Sequence, residues 1–372
     1  MTDENLFYLI ALSLVKHVGP ITAKRLIAST GSAKEVFIHI RKNPKAFSFL
    51  NARMVKELTK DEGLPQAEKE LKFIEKYHIK CLPYTHQSYP KRLRHCEDAP
   101  LLLFTKGEAN LNPPKALSIV GTRKATNRGR LLVEKIVTDL LELGHNPTII
   151  SGLAYGIDIA AHKAALDNNL PTLAILGHGL NTIYPASHKN EAKKIASNGA
   201  LITDFATSTP LDRNNFLRRN RIIAGMADAT LVVESRETGG ALITAAMANG
   251  YSRDVFAVPG RPEDNESKGC NQLIKSLYAN MVESGEDIID YMQWKKETET
   301  NSQTSLFTQL SPAEQHVANV LKQQDELAID IIAQRTNLPM NTLSSTLLEL
   351  EFKGVVAALP GKIFKLKNPL FI

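Results

Sequence analysis

Between residues 112 and 290 the chain alternates short apolar runs with amphipathic stretches. The runs lie at 117–120, 148–150, 173–176, 201–203, 231–233 and 255–258, and each is closed by glycine, proline or a polar residue. Strands of that length joined by amphipathic helices make βαβ units, and these predict a doubly wound, extended Rossmann-like α/β core with a parallel sheet.

The flanks follow other patterns. In residues 1–80, Leu6, Leu9, Ile10, Leu12, Leu14 and Val15 line a first helix, His17-Val18-Gly19-Pro20 makes a tight turn, and 23–29 resumes helical spacing with Lys24 and Arg25 exposed. Further helices are predicted at 52–59 and 65–77. This N-terminal helical domain is similar to a helix–hairpin–helix or SAM-like unit, whose turn amides can meet a nucleic-acid backbone. Its Gly-x-Gly pair is reduced to Gly19, with His17 in the other place. Partner binding or weak DNA binding is therefore expected of it. Residues 81–111, punctuated by Pro83, Pro90 and Pro100, read as an extended connector into the core at 112–290.

Beyond the core, 291–308 turns polar and reads as a linker. Residues 309–372 form a third domain. Ser311-Pro312-Ala313-Glu314 starts a helix with serine at the cap and proline in the first turn. Helices at 327–334 and 340–352 follow, and strands at 354–359 and 363–366 flank a Pro360-Gly361 turn. Three helices and a hairpin predict a winged helix. Its six basic and six acidic residues from Gln309 onward cancel, and 341–352 carries Glu349 and Glu351 with no lysine or arginine. A major-groove reader presents Arg, Lys, Asn or Gln near the start of that helix, and only Asn341 qualifies. Protein contact or auxiliary DNA contact is expected here.

Chemistry enters at the first two strand ends. Gly121-Thr122-Arg123 follows one and Ser151-Gly152 the next, each leading into a helical pattern. Two such turns bring two helix N-termini together at the sheet's carboxyl edge, where free amides and the positive dipole ends suit phosphate. Glycine turns can also serve only to pack a helix closely on its strand. Arg123 supplies a planar fork of donors for phosphate oxygens. The chain has no G-x-x-x-x-G-K-[ST] loop and no G-x-G-x-x-G after the first strand, which disfavours ATP hydrolysis and an ordinary dinucleotide cofactor.

Charge sharpens this reading. The net charge is +6, with a pI near 9.0. The arginines are clustered: Arg213, Arg218, Arg219 and Arg221 fall together, and Arg123, Lys124, Arg128 and Arg130 surround the first glycine turn. Such clusters are the footprint of a polyanion groove, or of a solvated helix face. Aromatic residues make up only 6%, which argues against base-stacking platforms and for phosphate contact blind to sequence. Cys81, Cys96 and Cys270 are too scattered for a zinc site or a disulfide framework, so a reducing compartment is expected. No apolar run reaches the ~20 residues of a membrane span. The acidic first residues predict no secretory leader. A cytoplasmic protein without a membrane partner is expected.

From Cys81 to Ile289 the chain resembles the DNA-processing protein A (DprA/Smf) family, and the flanks fit its extended members. The resemblance rests on eight segments in order: Gly121-Thr122-Arg123, Ser151-Gly152-Leu153-Ala154-Tyr155-Gly156-Ile157-Asp158, Ala161-His162 and Ile183-Tyr184-Pro185, then four more. These are Arg219-Asn220-Arg221-Ile222-Ile223-Ala224-Gly225, Gly240-Ala241-Leu242-Ile243-Thr244-Ala245, Phe256-Ala257-Val258-Pro259-Gly260 and Gly269-Cys270-Asn271-Gln272-Leu273-Ile274. Leu217, Glu191 and Gly239 depart from the pattern, standing for a usual proline, apolar residue and serine.

The resemblance implies a non-enzymatic protein that protects single-stranded DNA and helps load RecA recombinase in natural transformation. It also implies a homodimer through the α/β core. With the arginine clusters, it gives a candidate DNA-binding set of Gly121, Thr122, Arg123, Ser151, Gly152, Lys189, Arg218, Arg219, Asn220 and Arg221. No catalytic residue, metal or cofactor is expected.

Blander roles stand beside these. Asp158 and Asn220 can cap helices or brace loops, His162 suits a packed position, and His178 between two glycines suits a tight turn. Ser151 has no spaced base and acid to make it a nucleophile. The alternative function is a nucleotide-processing enzyme of the phosphoribohydrolase type. Its Pro-Gly-Gly-x-Gly-Thr-x-x-Glu signature is met only by Glu234-Ser235-Arg236-Glu237-Thr238-Gly239-Gly240, without the glutamate spacing.

Overall fold

The computed structural model describes residues 3–60, 62–295, 310–322, 327–359 and 362–366. They fall into two compact units, 1–297 and 298–372. The first unit opens with five helices: α1 (Asp3–Ser13), α2 (Pro20–Thr30), α3 (Ala33–Lys42), α4 (Ala52–Thr59) and α5 (Gly63–Lys76). Their buried faces, with Leu26, Val36, Ile40 and Leu58 fully enclosed, share one core with Leu101, Leu102 and Phe104 at the edge of the sheet.

Next in the chain come β1 (Lys80–Pro83), α6 (Lys91–Arg94) and β2 (Leu102–Gly107). The region continues with β3 (Ala116–Val120), α7 (Asn127–Glu142), β4 (Thr148–Ser151), α8 (Ile157–Asp167) and β5 (Thr172–Ile175). Then follow α9 (Lys189–Asn198), β6 (Ala200–Thr203), α10 (Arg213–Met226), β7 (Ala229–Val232), α11 (Gly240–Gly250) and β8 (Asp254–Ala257). It closes with α12 (Lys268–Lys275), β9 (Asn280–Met281) and α13 (Gly285–Met292).

Among the described residues these strands form one nine-stranded sheet in the order β1-β2-β6-β5-β4-β3-β7-β8-β9. From β6 to β9 every pairing is parallel, whereas β2 joins β6, and β1 joins β2, in antiparallel register. The six central strands read from the apolar runs are all present, each within one or two residues of its predicted bounds. Buried on both faces, they appear in sequence as largely apolar runs, with Ser118, Thr148 and Thr203 buried among them. One face is covered through Leu93, Ile222, Ile223 and Ala245 of α6, α10 and α11. The other is covered through α7, α8 and α13, with Val133, Ile136, Ile157, Ala161 and Ile288.

Two segments differ from expectation. The stretch 81–111 belongs to the sheet: it supplies most of β1 and all of β2. Its Tyr89 is fully buried, donating its hydroxyl to the Pro100 carbonyl at 2.8 Å. Arg92 clamps Asp228 through Nε at 2.5 Å and a terminal nitrogen at 2.9 Å, which fixes the segment against the start of β7. At the other end, α13 continues to Met292 and Trp294 packs on the core, so the folded region outruns residue 290. Most of the predicted linker lies outside the described residues.

The second unit holds α14 (Pro312–Lys322), β10 (Leu327–Ala328), α15 (Ile329–Thr336), α16 (Met340–Phe352), β11 (Val356–Leu359) and β12 (Ile363–Leu366). Its sheet order is β10-β12-β11, a winged helix. Residues 327–328, read as the start of a helix, instead pair with Phe364 and Ile363 of the wing. The Pro360-Gly361 turn lies outside the described residues.

Candidate nucleic-acid interface

Strand β3 is flanked by β4 and β7, because the chain runs outward through β4, β5 and β6 and then crosses back. Doubly wound sheets bind ligands at such a switch point, outside the carboxyl ends of the strands. A crevice of about 340 Å³ opens there, walled by the turn after β3, the start of α8, one face of α10 and the loop from Ser235 into α11.

Glycine shapes this turn by close approach. A Cβ on Gly121 would collide with Ile157, and Gly156, at a φ of 80°, lies so near the Thr122 carbonyl that no side chain fits. Thr122 is held on both sides, donating its N–H to the Glu234 carbonyl at 2.7 Å and accepting from the Ile157 N–H at 3.2 Å. Arg123 projects from this fixed turn, exposed, with its guanidinium 6.0 Å from the Phe216 ring centre.

The remaining candidates part company. Arg219 is buried, donating to the Gly152 carbonyl at 2.5 Å and to the Ile175 carbonyl, and it lies 3.7 Å from Asp158. A Cβ on Gly152 would overlap that guanidinium, so Gly152 makes room for Arg219. Asp158 also accepts from the backbone of Ala154 and Gly152, a loop brace. Burial outweighs the pairing for both partners, pushing the Asp158 carboxyl up and drawing Arg219 down to about 10, still charged at neutral pH. Asn220 lines the crevice, its side-chain oxygen accepting from Arg219 Nε at 3.0 Å.

Arg221 points the other way, into an ion pair with Asp204 and a hydrogen bond to the Asp98 carbonyl, and is buried. Ser151 is also fully buried, donating its hydroxyl to the Ile119 carbonyl at 2.6 Å across the sheet. Neither side chain lines the crevice. Arg218 is exposed over the Phe205 ring, and Lys189 is exposed at the start of α9; neither is in the crevice wall. His162 and His178 are buried, bonded to Thr172 and to the Gly179 carbonyl.

Helix geometry supplies what the expected set lacked. On α10, Arg213, Phe216, Asn220 and Ile223 recur at helical spacing and all line the crevice. That stripe was readable from Asn220 once 213–226 was taken as a helix. Phe216 lies 5.5 Å from the exposed ring of Tyr184, and Gly177 lets it approach. Among the crevice-lining residues Phe216 is the aromatic one, with Tyr184 beside it.

The helix ends also differ from expectation. The two that meet at the crevice without a side-chain cap are those of α8 and α11. The start of α7 is capped by Thr126 and borders a neighbouring groove instead. Glu234 is committed to that same cap, accepting from the Thr126 N–H at 2.9 Å and its hydroxyl at 2.5 Å. Exposed arginines stand in the first turns of α7 and α10, where carboxylates already meet the helix ends: Asp212 caps α10, accepting from the Asn214 N–H at 2.7 Å, and Glu234 faces the start of α7. Among the described residues, no group of three His, Cys, Asp or Glu could hold a metal ion.

The chain matches the family model described as DNA recombination-mediator protein A over residues 80–293, and that of the DprA winged helix domain over 302–362. Protein Smf of Escherichia coli is 36% identical over 313 residues, covering 81% of each chain. The X-ray structure of DNA processing protein A from Streptococcus pneumoniae superposes with a TM-score of 0.66 at 29% identity, over 78% of this chain and 98% of that one. The structure of the Helicobacter pylori protein, which concerns a single-stranded DNA binding mode, gives 0.52 at 26% identity, over 58% and 96%.

Proposed function

The chain belongs to the DNA recombination-mediator protein A family, and on that premise we propose that its switch-point crevice grips single-stranded DNA for delivery to a RecA-type recombinase. One observation carries the reading: Arg123 and Arg213, exposed and without a side-chain hydrogen bond or close ion pair among the described residues, border a crevice that also holds Phe216 and two uncapped helix N-termini. Arginines and amides suit phosphates, and the Phe216–Tyr184 pair suits unstacked bases, which only a single strand offers.

The family description supports the recombinase hand-off, and an accelerated exchange of recombinase onto protein-coated single strands would be its readout. The Helicobacter pylori relative supports the choice of ligand. Self-association through the core is supported by the open edge at β9, where Leu277, Tyr278 and Met281 are 91%, 60% and 49% exposed. Against an enzyme of the phosphoribohydrolase type stands Glu234, whose carboxylate faces Thr126 rather than the crevice. Among the described residues no helix is long and apolar enough to cross a membrane.

The test is a binding series with single-stranded and duplex DNA of one sequence across salt. Tighter single-strand binding is expected, with log affinity falling against log salt by about 0.7 per phosphate neutralised. A flat salt response, or tighter duplex binding, would sink the proposal. Release of free base from nucleoside monophosphates would favour the enzyme.

A further inference from the structure

Beyond the switch-point crevice lie two more depressions in the same rim. The second, about 420 Å³, runs between the start of α7 and the loop after β8, and includes Arg128, Glu234, Arg236 and Pro259 in its wall. The third, about 540 Å³, is bordered by Arg128, Pro259, Arg261, Asp264 and Glu283. Neighbouring depressions share an arginine: Arg236 lines the first and second, Arg128 the second and third. The three lie in a row along the carboxyl edge, from β3 towards β9, each separated from the next by the arginine they share.

The arginines along it are in different states. Arg236 is tied to Glu266 at 2.5 Å. Arg128 and Arg261 are exposed, and their side chains make no hydrogen bond or ion pair among the described residues, so their guanidinium donors are free for a ligand. Arg128 also sits in the first turn of a 16-residue helix with no acidic residue in that turn. The Glu234 carboxylate already faces that helix end, so what Arg128 offers a ligand is its own guanidinium fork rather than the helix dipole.

Four carboxylates border the depressions, and two of them are committed. Glu234 holds Thr126 and Glu266 holds Arg236. Asp264 and Glu283 remain exposed near Arg261, and they limit the gain. Arginines repeated along a row of adjoining depressions suit a polymer of phosphates rather than one small anion.

We propose that a single strand too long for the first crevice continues past Arg236 into this groove, where Arg128 and Arg261 take its next phosphates. The proposal rests on the reading of the crevice given above, and oligonucleotide length separates the two. An oligonucleotide of about six nucleotides tests the crevice, and one of about fifteen also reaches the groove, within the range known for single-strand sites.

The experiment measures both lengths, across salt, with the full chain and with Arg128→Ala/Arg261→Ala. The parent should show a salt slope steeper by about 1.4 with the long strand, the share of two phosphates at ~0.7 each. The double variant should lose that increment and several-fold in affinity for the long strand only, with an unchanged melting temperature. Equal binding of the long strand by parent and variant overturns the groove, as does a loss shared by both lengths. Failure of the parent to bind the short strand overturns the crevice itself, and the groove falls with it.

Discussion

The two arginine-rich segments, 123–130 and 213–221, look alike in sequence and are treated differently by the fold. In the first, Arg123 and Arg128 are exposed and make no side-chain hydrogen bond or close ion pair among the described residues. In the second, Arg213 and Arg218 face outward while Arg219 and Arg221 are 3% and 7% exposed, with donors given to the Gly152, Ile175 and Asp98 carbonyls and to Asp204. A buried guanidinium must have its donors satisfied internally, and those donors are then closed to a ligand. Clustered arginine therefore marks two jobs at once, gripping an anion and bracing the loops that shape the grip. Helical phase on α10 decides which residue does which.

The largest effect should come from the braced class. Arg219→Ala leaves Asp158 buried without its cation, and removing one partner of a buried pair costs about 3–5 kcal/mol. A markedly lower denaturation midpoint is expected, with DNA binding weakened only as far as the fold is lost. Asp158→Asn in the same background should recover part of the stability, because a neutral amide is cheaper to leave unpaired. An Arg219→Ala protein that keeps its midpoint yet loses DNA would erase the distinction between bracing and gripping.

The exposed class should behave in reverse. Arg123→Ala is expected to weaken single-strand binding by roughly 1.5–3 kcal/mol, with an unchanged midpoint. Arg123→Lys should restore only part, since the fork is lost. Phe216→Ala should cost about 1–3 kcal/mol, as for loss of one stacked base, while leaving the salt slope of the parent. Arg123→Ala should instead reduce that slope by about 0.7. The two variants thus separate phosphate contact from base contact at positions 6.0 Å apart, and identical slopes would show that they do not divide the work.

Most of the architecture was legible because strands buried on both faces leave short, largely apolar runs, as at 173–176 and 231–233. The antiparallel edge was not, since Pro83, Pro90 and Pro100 look like a connector until Tyr89 and Arg92 are seen to anchor it. At the candidate site, Gly121, Arg123 and Asn220 were read as lining residues and do line the crevice. Ser151 and Arg221 were named with them, and a motif gives no sign of which way a side chain turns. Phe216 escaped because composition counts aromatics and ignores where they gather. The helix that meets α8 at the crevice is α11, distant in sequence, because the return crossover to β7 places it there.

The smallest effect should come from the second unit. Truncation after Thr304 should leave a folded protein that binds single-stranded DNA within a few-fold of the full chain. The charge of residues 309–372 cancels, and on α16 the exposed side chains include Met340, Leu348 and Phe352, at 45%, 53% and 83%. That surface is apolar and acidic, with no lysine or arginine along the helix, so it suits a protein partner better than a groove of phosphates. Lysines of the wing are the counter-argument: Lys362 and Lys365 lie on it, and Lys367 falls outside the described residues. Exposed contacts of that kind are each worth about 0–1 kcal/mol and are screened by salt, hence a few-fold at most. A loss of about a hundredfold at moderate salt, beyond what such contacts supply, would make the winged helix a principal DNA site. It would also show that the exposed arginines of the core do not carry the binding alone.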